Sequence, residues 1–331
     1  MPEKILVTGG GGFLGSTICR QLKDKGYDVV SLSRKSYPNL IQQGITCVEG
    51  SILSLSDLET AMKACDGVIH TAARVGMWGP RKEFYETNVQ GTENVIKTAQ
   101  KLKVRRLVYT SSPSVVFSGK DICGANESLA YPKSYLANYP LTKMQAEKLV
   151  LANHGEKYLA TTAIRPHLIW GPGDPHFVPR LRENAAKLRK VGDLKNKVDV
   201  TYIDNAAEAH VLALEELSLE SPNGGRTYFV GQEKPIELWK FIDRILDSMD
   251  LPPVPGRIPT PVAYFAGFCM EWAYKIAGIK DREPPMTRFV ALNLGRSCYF
   301  SHLQAKRDFK YKPRVSIEQG LANLRASLKV N

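Results

Sequence analysis

The segment Thr8-Gly9-Gly10-Gly11-Gly12-Phe13-Leu14-Gly15 restricts what this chain can fold into more than any other stretch of it. It follows the apolar run Ile5-Leu6-Val7 and opens a stretch of helical patterning from Gly12 to Lys25. Gly9, Gly12 and Gly15 stand at G-x-x-G-x-x-G spacing. A tight turn with positive φ, the approach of a ligand to bare backbone and close packing of helix on strand each select glycine. Free N–H groups and the positive end of the helix then suit a pyrophosphate. This strand–turn–helix predicts dinucleotide binding by Gly9, Gly12, Phe13, Leu14 and Gly15.

A second strand is expected over Asp28–Leu32, and the residue after such a strand reads the adenosine ribose. Here the sequence runs Ser31-Leu32-Ser33-Arg34-Lys35, with no carboxylate. Arg34 and Lys35 suit a 2′-phosphate and Ser33 can donate to it, so NADP is expected over NAD.

Further strands are expected over Lys4–Thr8, Thr46–Val48, Gly67–His70, Arg105–Thr110 and Leu159–Arg165. Helices are expected over Ser56–Cys65, Lys82–Lys101 and Tyr139–Asn153, with Gly26 and Gly155 at C-terminal caps. Such alternation predicts an α/β fold with a doubly wound parallel sheet, a Rossmann architecture. After Arg165 proline becomes frequent, and helical segments dominate at Asp204–Leu217, Pro235–Met249, Pro261–Ala277 and Ser316–Leu328. The expected division is a cofactor domain of residues 1–165 plus 200–219, and a smaller, mostly helical substrate domain of 166–199 plus 220–331.

Composition narrows the class. With 43% hydrophobic and 24% charged residues, the 331-residue chain is neither disordered nor fibrous. The net charge of +12 favours anionic partners without singling out nucleic acid. The basic stretch Arg180–Lys197 lacks interleaved aromatics and reads as a solvated helix face, so no nucleic-acid partner is expected. No two of the six cysteines stand at metal-ligand spacing, so reduced thiols and no metal site are expected. No secretory signal precedes the first strand, and a cytoplasmic location is expected. The apolar stretch Pro261–Ile279 carries Glu271 and Lys275 and should not cross a bilayer.

Of 14 tyrosines, only Tyr139 is followed four residues later by lysine, Lys143. On a helix both would share a face, with Pro140 at the first helical position. A nearby ammonium lowers the pKa of a phenol, which then exchanges a proton with a carbonyl oxygen as hydride reaches its carbon. Hydroxyls in Thr110-Ser111-Ser112-Pro113-Ser114, at the C-terminal end of a parallel strand, face the ligand crevice. Ser112 is the first candidate to hold a substrate oxygen there, and Ser114 the second.

Together these features resemble the extended short-chain dehydrogenase/reductase family. The resemblance rests on Thr8–Gly15, His70-Thr71-Ala72-Ala73, Asn88-Val89-Gln90-Gly91-Thr92, Thr110-Ser111-Ser112, Tyr139–Lys143 with Ala146-Glu147, Arg165–Asp174 and Tyr202–Asn205. It implies that Ser112 positions a carbonyl, Tyr139 is the acid-base, and Lys143 also binds the nicotinamide ribose. It further implies that Ala72 and Ala73 line the cofactor, Asn88 supports the geometry or a water, and Pro166 and Leu168 meet the nicotinamide. Where the family often has an Asp at the adenine, this chain has Ser51-Ile52. The Ser-Pro-Ser-Val-Val loop, Arg165–Asp174 and Tyr202–Asn205 are similar to the 3β-hydroxysteroid and sterol-4-carboxylate dehydrogenase branch. Trp78-Gly79, Leu168–Asp174, Thr201–Ala207 and Arg307-Asp308-Phe309 extend the likeness to bacterial reductases of 2-alkyl-3-oxoalkanoates in long-chain olefin synthesis.

The function so implied is NADPH-dependent reduction of the 3-oxo group of a long-chain β-keto acid to the 3-hydroxy acid. Its rivals are a 3β-hydroxysteroid or sterol-4-carboxylate dehydrogenase, a nucleotide-sugar epimerase or reductase, and a non-catalytic NADP-binding sensor. The aromatic residues of 261–279 are candidates to line an acyl pocket or to rest on a membrane surface, or are core packing of the second lobe. Trp78 is a candidate substrate contact, and Arg74, Arg81, His167 and His176 are candidates for the substrate carboxylate. His154 and His210 read as structural. The resemblance also implies a homodimer, with association with other enzymes of the same pathway as a further expectation.

Overall fold

The computed structural model describes residues 2–329. Its centre is a parallel sheet of seven strands: β1 (Lys4–Thr8), β2 (Asp28–Ser33), β3 (Thr46–Glu49), β4 (Gly67–His70), β5 (Arg106–Thr110), β6 (Ala160–Pro166) and β7 (Thr227–Val230). The spatial order is β7-β6-β5-β4-β1-β2-β3. All of β4, β6 and β7 is buried, as expected for strands covered by helices on both faces. The order reverses beside β1, and the crevice at this switch, at the C-terminal strand ends, is where doubly wound sheets bind ligands.

Five helices matter for the site: α1 (Phe13–Asp24), α2 (Gly91–Lys101), α3 (Asn138–Ala152), α4 (Ile203–Glu216) and α5 (Thr260–Ile276). In α1, Leu14, Ile18, Cys19 and Leu22 recur at helical spacing and are buried. Gly26 and Gly155 take positive φ just beyond their helices. Within 200–219, helix α4 packs on α1, with ion pairs Arg20–Asp204 and Lys25–Glu215 and a Gln21 Nε2 bond to the Asp204 carbonyl.

Two short strands fall outside the division read from sequence. Thr227–Val230, assigned there to the substrate domain, pairs with β6 as the sheet's edge. Ile122–Ala125, assigned to the cofactor domain, pairs with Cys298–Phe300 in a separate four-stranded sheet. Four-residue strands carry too little periodicity to reveal their partners. The helix expected over Lys82–Lys101 is interrupted: Arg81–Tyr85 is α-helical, Glu86–Gln90 forms a π turn, and α2 follows.

All six thiols are free. No helix among the described residues is long and apolar enough to cross a membrane.

Candidate active site

The glycine turn is built to very close tolerances. Gly9 has φ +71°, and a Cβ there would lie 3.0 Å from the Ala72 backbone. A Cβ on Gly15 would stand 2.1 Å from the Gly9 carbonyl oxygen, so helix and turn touch backbone to backbone. Gly12 is different: its added Cβ would meet only that same carbonyl, which leaves its other side open to a ligand. No side chain caps the helix that starts at Phe13 and Leu14. These residues therefore fit the pyrophosphate of a dinucleotide. The Thr71 N–H and hydroxyl both donate to the Thr8 carbonyl, which sets the backbone of Ala72 and Ala73 beside the turn.

The end of β2 is fastened to the same turn. Gly11 N–H donates to Ser33 Oγ at 2.8 Å, and Ser33 Oγ also lies 3.4 Å from Ser31 Oγ. Arg34 and Lys35 are exposed, and neither enters an ion pair among the described residues. Glu49 of β3 stands opposite Ser33 in register, a carboxylate near the ribose position that the reading along β2 alone missed. At the expected adenine position, Ser51 N–H donates to Asp57, whose carboxyl is held below its ordinary pKa by that bond and by Ser54. Ile52 is buried and packs under Gly91, where an added Cβ would lie 2.5 Å from it.

Tyr139 and Lys143 both lie on α3, which starts at Asn138, so Pro140 is the third helical residue and not the first. The shift costs nothing, because the first four N–H groups of a helix have no intrahelical partner. Lys143 is 2% exposed. Its Nζ donates to the Thr110 carbonyl and lies 4.1 Å above the Tyr109 ring. Burial pulls its pKa down to about 7, and Glu147 opposes the fall. The Tyr139 phenol is enclosed, which raises its pKa to about 12, while a Ser112 hydrogen bond works the other way. The expectation that Lys143 acidifies Tyr139 is not met: burial dominates, and the group that lowers the phenol's pKa is Ser112. Ser112 and Ser114 share a hydrogen bond of 2.9 Å, and Ser112 caps the turn Pro113–Val116.

The π turn explains the position of Asn88. Its Oδ1 accepts from Arg74 N–H at 2.7 Å, and its Nδ2 donates to the Arg74 carbonyl and to Thr142 Oγ1. Thr142 in turn bonds the Asn138 and Tyr139 carbonyls. Asn88 therefore props the first turn of α3, and both its amide protons are occupied. Behind it, Thr92 donates to the Asn88 carbonyl, His70 Nε2 lies 2.9 Å from Thr92 Oγ1, and His70 Nδ1 lies 2.6 Å from Thr8 Oγ1. Thr92 has spent its proton, so His70 carries its own on Nε2 and accepts from Thr8. Burial keeps this ring neutral, with a pKa of about 3. The same holds for His210, which bonds Thr110 Oγ1 and the Ala206 carbonyl. His154 accepts from Thr161 N–H.

Beside the first turn of α3 lies a cavity of about 380 Å³. Its walls include Trp78, Asn138, Leu141, Tyr274 and Ile279. Trp78 Nε1 donates to the Ile279 carbonyl, and Asn138 Nδ2 to Gly79, which tie the walls together. Pro166 ends β6, and Leu168 is held at φ +40°, a strained conformation of the kind found at ligand sites. His167 and His176 do not line this cavity. The His167 ring lies edge-on to Phe300 at 6.4 Å, inside the second lobe, and His176 is exposed at the start of the helix Phe177–Asn184. Arg74 is taken up by Glu83 at 2.7 Å. The cations that do line the cavity are Lys275, Lys280 and Arg288. Arg288 is neutralised by Glu271, whereas Lys275 and Lys280 enter no ion pair among the described residues. The sequence reading passed over both lysines because their distance from the site in the chain hid their proximity in space.

Residues 6–259 match the model of the 3-beta hydroxysteroid dehydrogenase/isomerase family. The chain belongs to that family. It is an extended short-chain dehydrogenase/reductase and an NAD(P)-dependent oxidoreductase. Among curated relatives, it is 45% identical to the 2-alkyl-3-oxoalkanoate reductase of Shewanella oneidensis, over 97% of this chain and 85% of the relative. It is 42% identical to the enzyme of the same name from Stenotrophomonas maltophilia, over 98% and 99%. The human sterol-4-alpha-carboxylate 3-dehydrogenase, decarboxylating, is 35% identical over 96% of this chain and 86% of the relative. Among solved structures, a UDP-glucose 4-epimerase of Thermotoga maritima superposes with a TM-score of 0.77 at 19% identity, over 99% of each chain. That likeness concerns the fold alone.

Proposed function

We propose that this member of the family reduces the 3-oxo group of a long-chain 2-alkyl-3-oxoalkanoate to the 3-hydroxy acid, with NADPH as the reductant. The observation that carries the reading is the cavity beside the first turn of α3, walled by Trp78, Leu141, Tyr274 and Ile279, with Lys275 and Lys280 entering no ion pair among the described residues. An acyl chain and a carboxylate require that combination. The near full-length identity to two 2-alkyl-3-oxoalkanoate reductases supports the same substrate class. The exposed Arg34 and Lys35 support NADP over NAD.

When bound, the reduced nicotinamide supplies the hydride. Tyr139 gives its proton to the carbonyl oxygen, and Ser112 holds that oxygen through a second hydrogen bond. Lys143, anchored on the Thr110 carbonyl, stabilises the phenolate left behind. Asn88 and Thr142 keep the first turn of α3 in place, and Lys275 or Lys280 meets the substrate carboxylate.

A second reading, a 3β-hydroxysteroid or sterol-4-carboxylate dehydrogenase, draws on the identity to the human enzyme and on Glu49 beside Ser33. One panel separates the two. NADPH oxidation is measured with β-keto acids of graded chain length, and NAD and NADP reduction with 3β-hydroxysteroids and sugar nucleotides. The proposal expects NADPH-dependent turnover that rises with acyl length. Turnover confined to steroids, with NAD at least as good as NADP, would replace it with the second reading.

A further inference from the structure

Helix α5 is built inside out. A helix on the surface of a soluble domain turns its large apolar residues inward. Here the buried positions are Ala263, Gly267 and Glu271. A Cβ on Gly267 would lie 2.6 Å from the Thr287 backbone, so small residues on this face let α5 approach its neighbour closely. The large residues point out instead: Val262 is 56% exposed, Phe265 66%, Trp272 57% and Ile276 74%, with Phe268 at 40% between them. These five form one stripe along the helix, and a contiguous apolar stripe of this kind marks an interaction surface.

Charge identifies the occupant. The only acid of α5, Glu271, is buried against Arg288, so the outer stripe carries no negative charge. Lys275 stands three residues from Trp272 on the helix surface, and Lys280 and Arg282 follow it, all exposed, with Asp281 the single exposed acid among them. The chain as a whole carries +12. A second copy seated on the stripe by a two-fold axis would present the same basic surface, with Asp281 as the one exposed acid to meet these cations. An anionic lipid surface would neutralise them while covering the aromatic residues.

We propose that the outer face of α5 lies in the headgroup layer of an anionic bilayer, and that the long-chain substrate enters the cavity from that surface. Lys275 lines the cavity and borders the stripe, which joins the two. The delivery half rests on the reductase reading, whereas the docking half does not.

The test is co-sedimentation of the full chain with phosphatidylcholine vesicles, with or without phosphatidylglycerol, for the parent and for the double variant Phe265→Glu/Trp272→Glu. Neither residue lines the cavity. The parent should pellet with the anionic vesicles and be released by salt. The variant should bind on the order of tenfold less or worse, with an unchanged thermal midpoint. A parent that stays in the supernatant, or a variant that binds equally, overturns docking. So does light scattering that shows a parental dimer lost in the variant, since a second copy would then cover the stripe. Docking without turnover of any β-keto acid would leave the membrane surface standing and remove only the substrate.

Discussion

Replacing Tyr139 by phenylalanine should lower kcat about 10²–10⁴-fold while leaving NADPH affinity nearly unchanged. The change removes one oxygen from an enclosed position next to Ser112, so packing is largely preserved. What disappears is the proton for the product oxygen. Its pKa of about 12 without cofactor suits an acid that must remain protonated until the carbonyl oxygen gains negative charge. The check is steady-state kinetics beside fluorescence titration of NADPH. Equal kcat in variant and parent would remove Tyr139 from the chemistry. A fall in NADPH affinity as large as the fall in kcat would make it a binding residue.

The largest effect on stability is expected from Glu147→Ala. Arg165 Nε and Nη2 reach the two Glu147 oxygens at 2.8 and 2.6 Å, and neither residue is more than 2% exposed. Tyr131 adds a bond of 2.7 Å to the same carboxylate. Removing one partner of a buried pair strands the other, which costs about 3–5 kcal/mol. Urea unfolding measures it, and a loss below about 1 kcal/mol would show that water reaches Arg165. The same carboxylate holds up the pKa of Lys143. Without it, Lys143 loses its proton at lower pH. The folded pKa of about 7 lies below the ordinary 10.5, so between those values the unfolded chain binds the extra proton. The Lys143 contribution to stability therefore rises with pH across that window, and Lys143→Met should abolish the rise.

Much of this site could be read in the chain itself, because its parts are local. The glycine turn is contiguous, Tyr139 and Lys143 are one helical turn apart, and Ser112 follows its strand directly. What was hidden is what depends on distant segments. The π turn that aims Asn88 exists because its side chain finds Arg74 and Thr142, and neither contact shows in a heptad pattern. His167 sits between Pro166 and Leu168, both expected at the nicotinamide, yet its ring lies edge-on to Phe300. Lys275 and Lys280 reach the cavity only through the placement of α5, more than 130 residues after Tyr139 in the chain. The weakened charge of Lys143 reflects the depth of its burial, and spacing along a helix says nothing of depth.

The proposed reaction is net transfer of hydride to C3 of a β-keto acid, with the proton from Tyr139. The most direct measurement uses NADPH deuterated at C4 on the transferred face, a long-chain 2-alkyl-3-oxo acid, and mass spectrometry of the product. One deuterium at C3 of the 3-hydroxy acid for each NADPH consumed is the predicted result. A product without deuterium, or a substrate altered with no net consumption of NADPH, would contradict it.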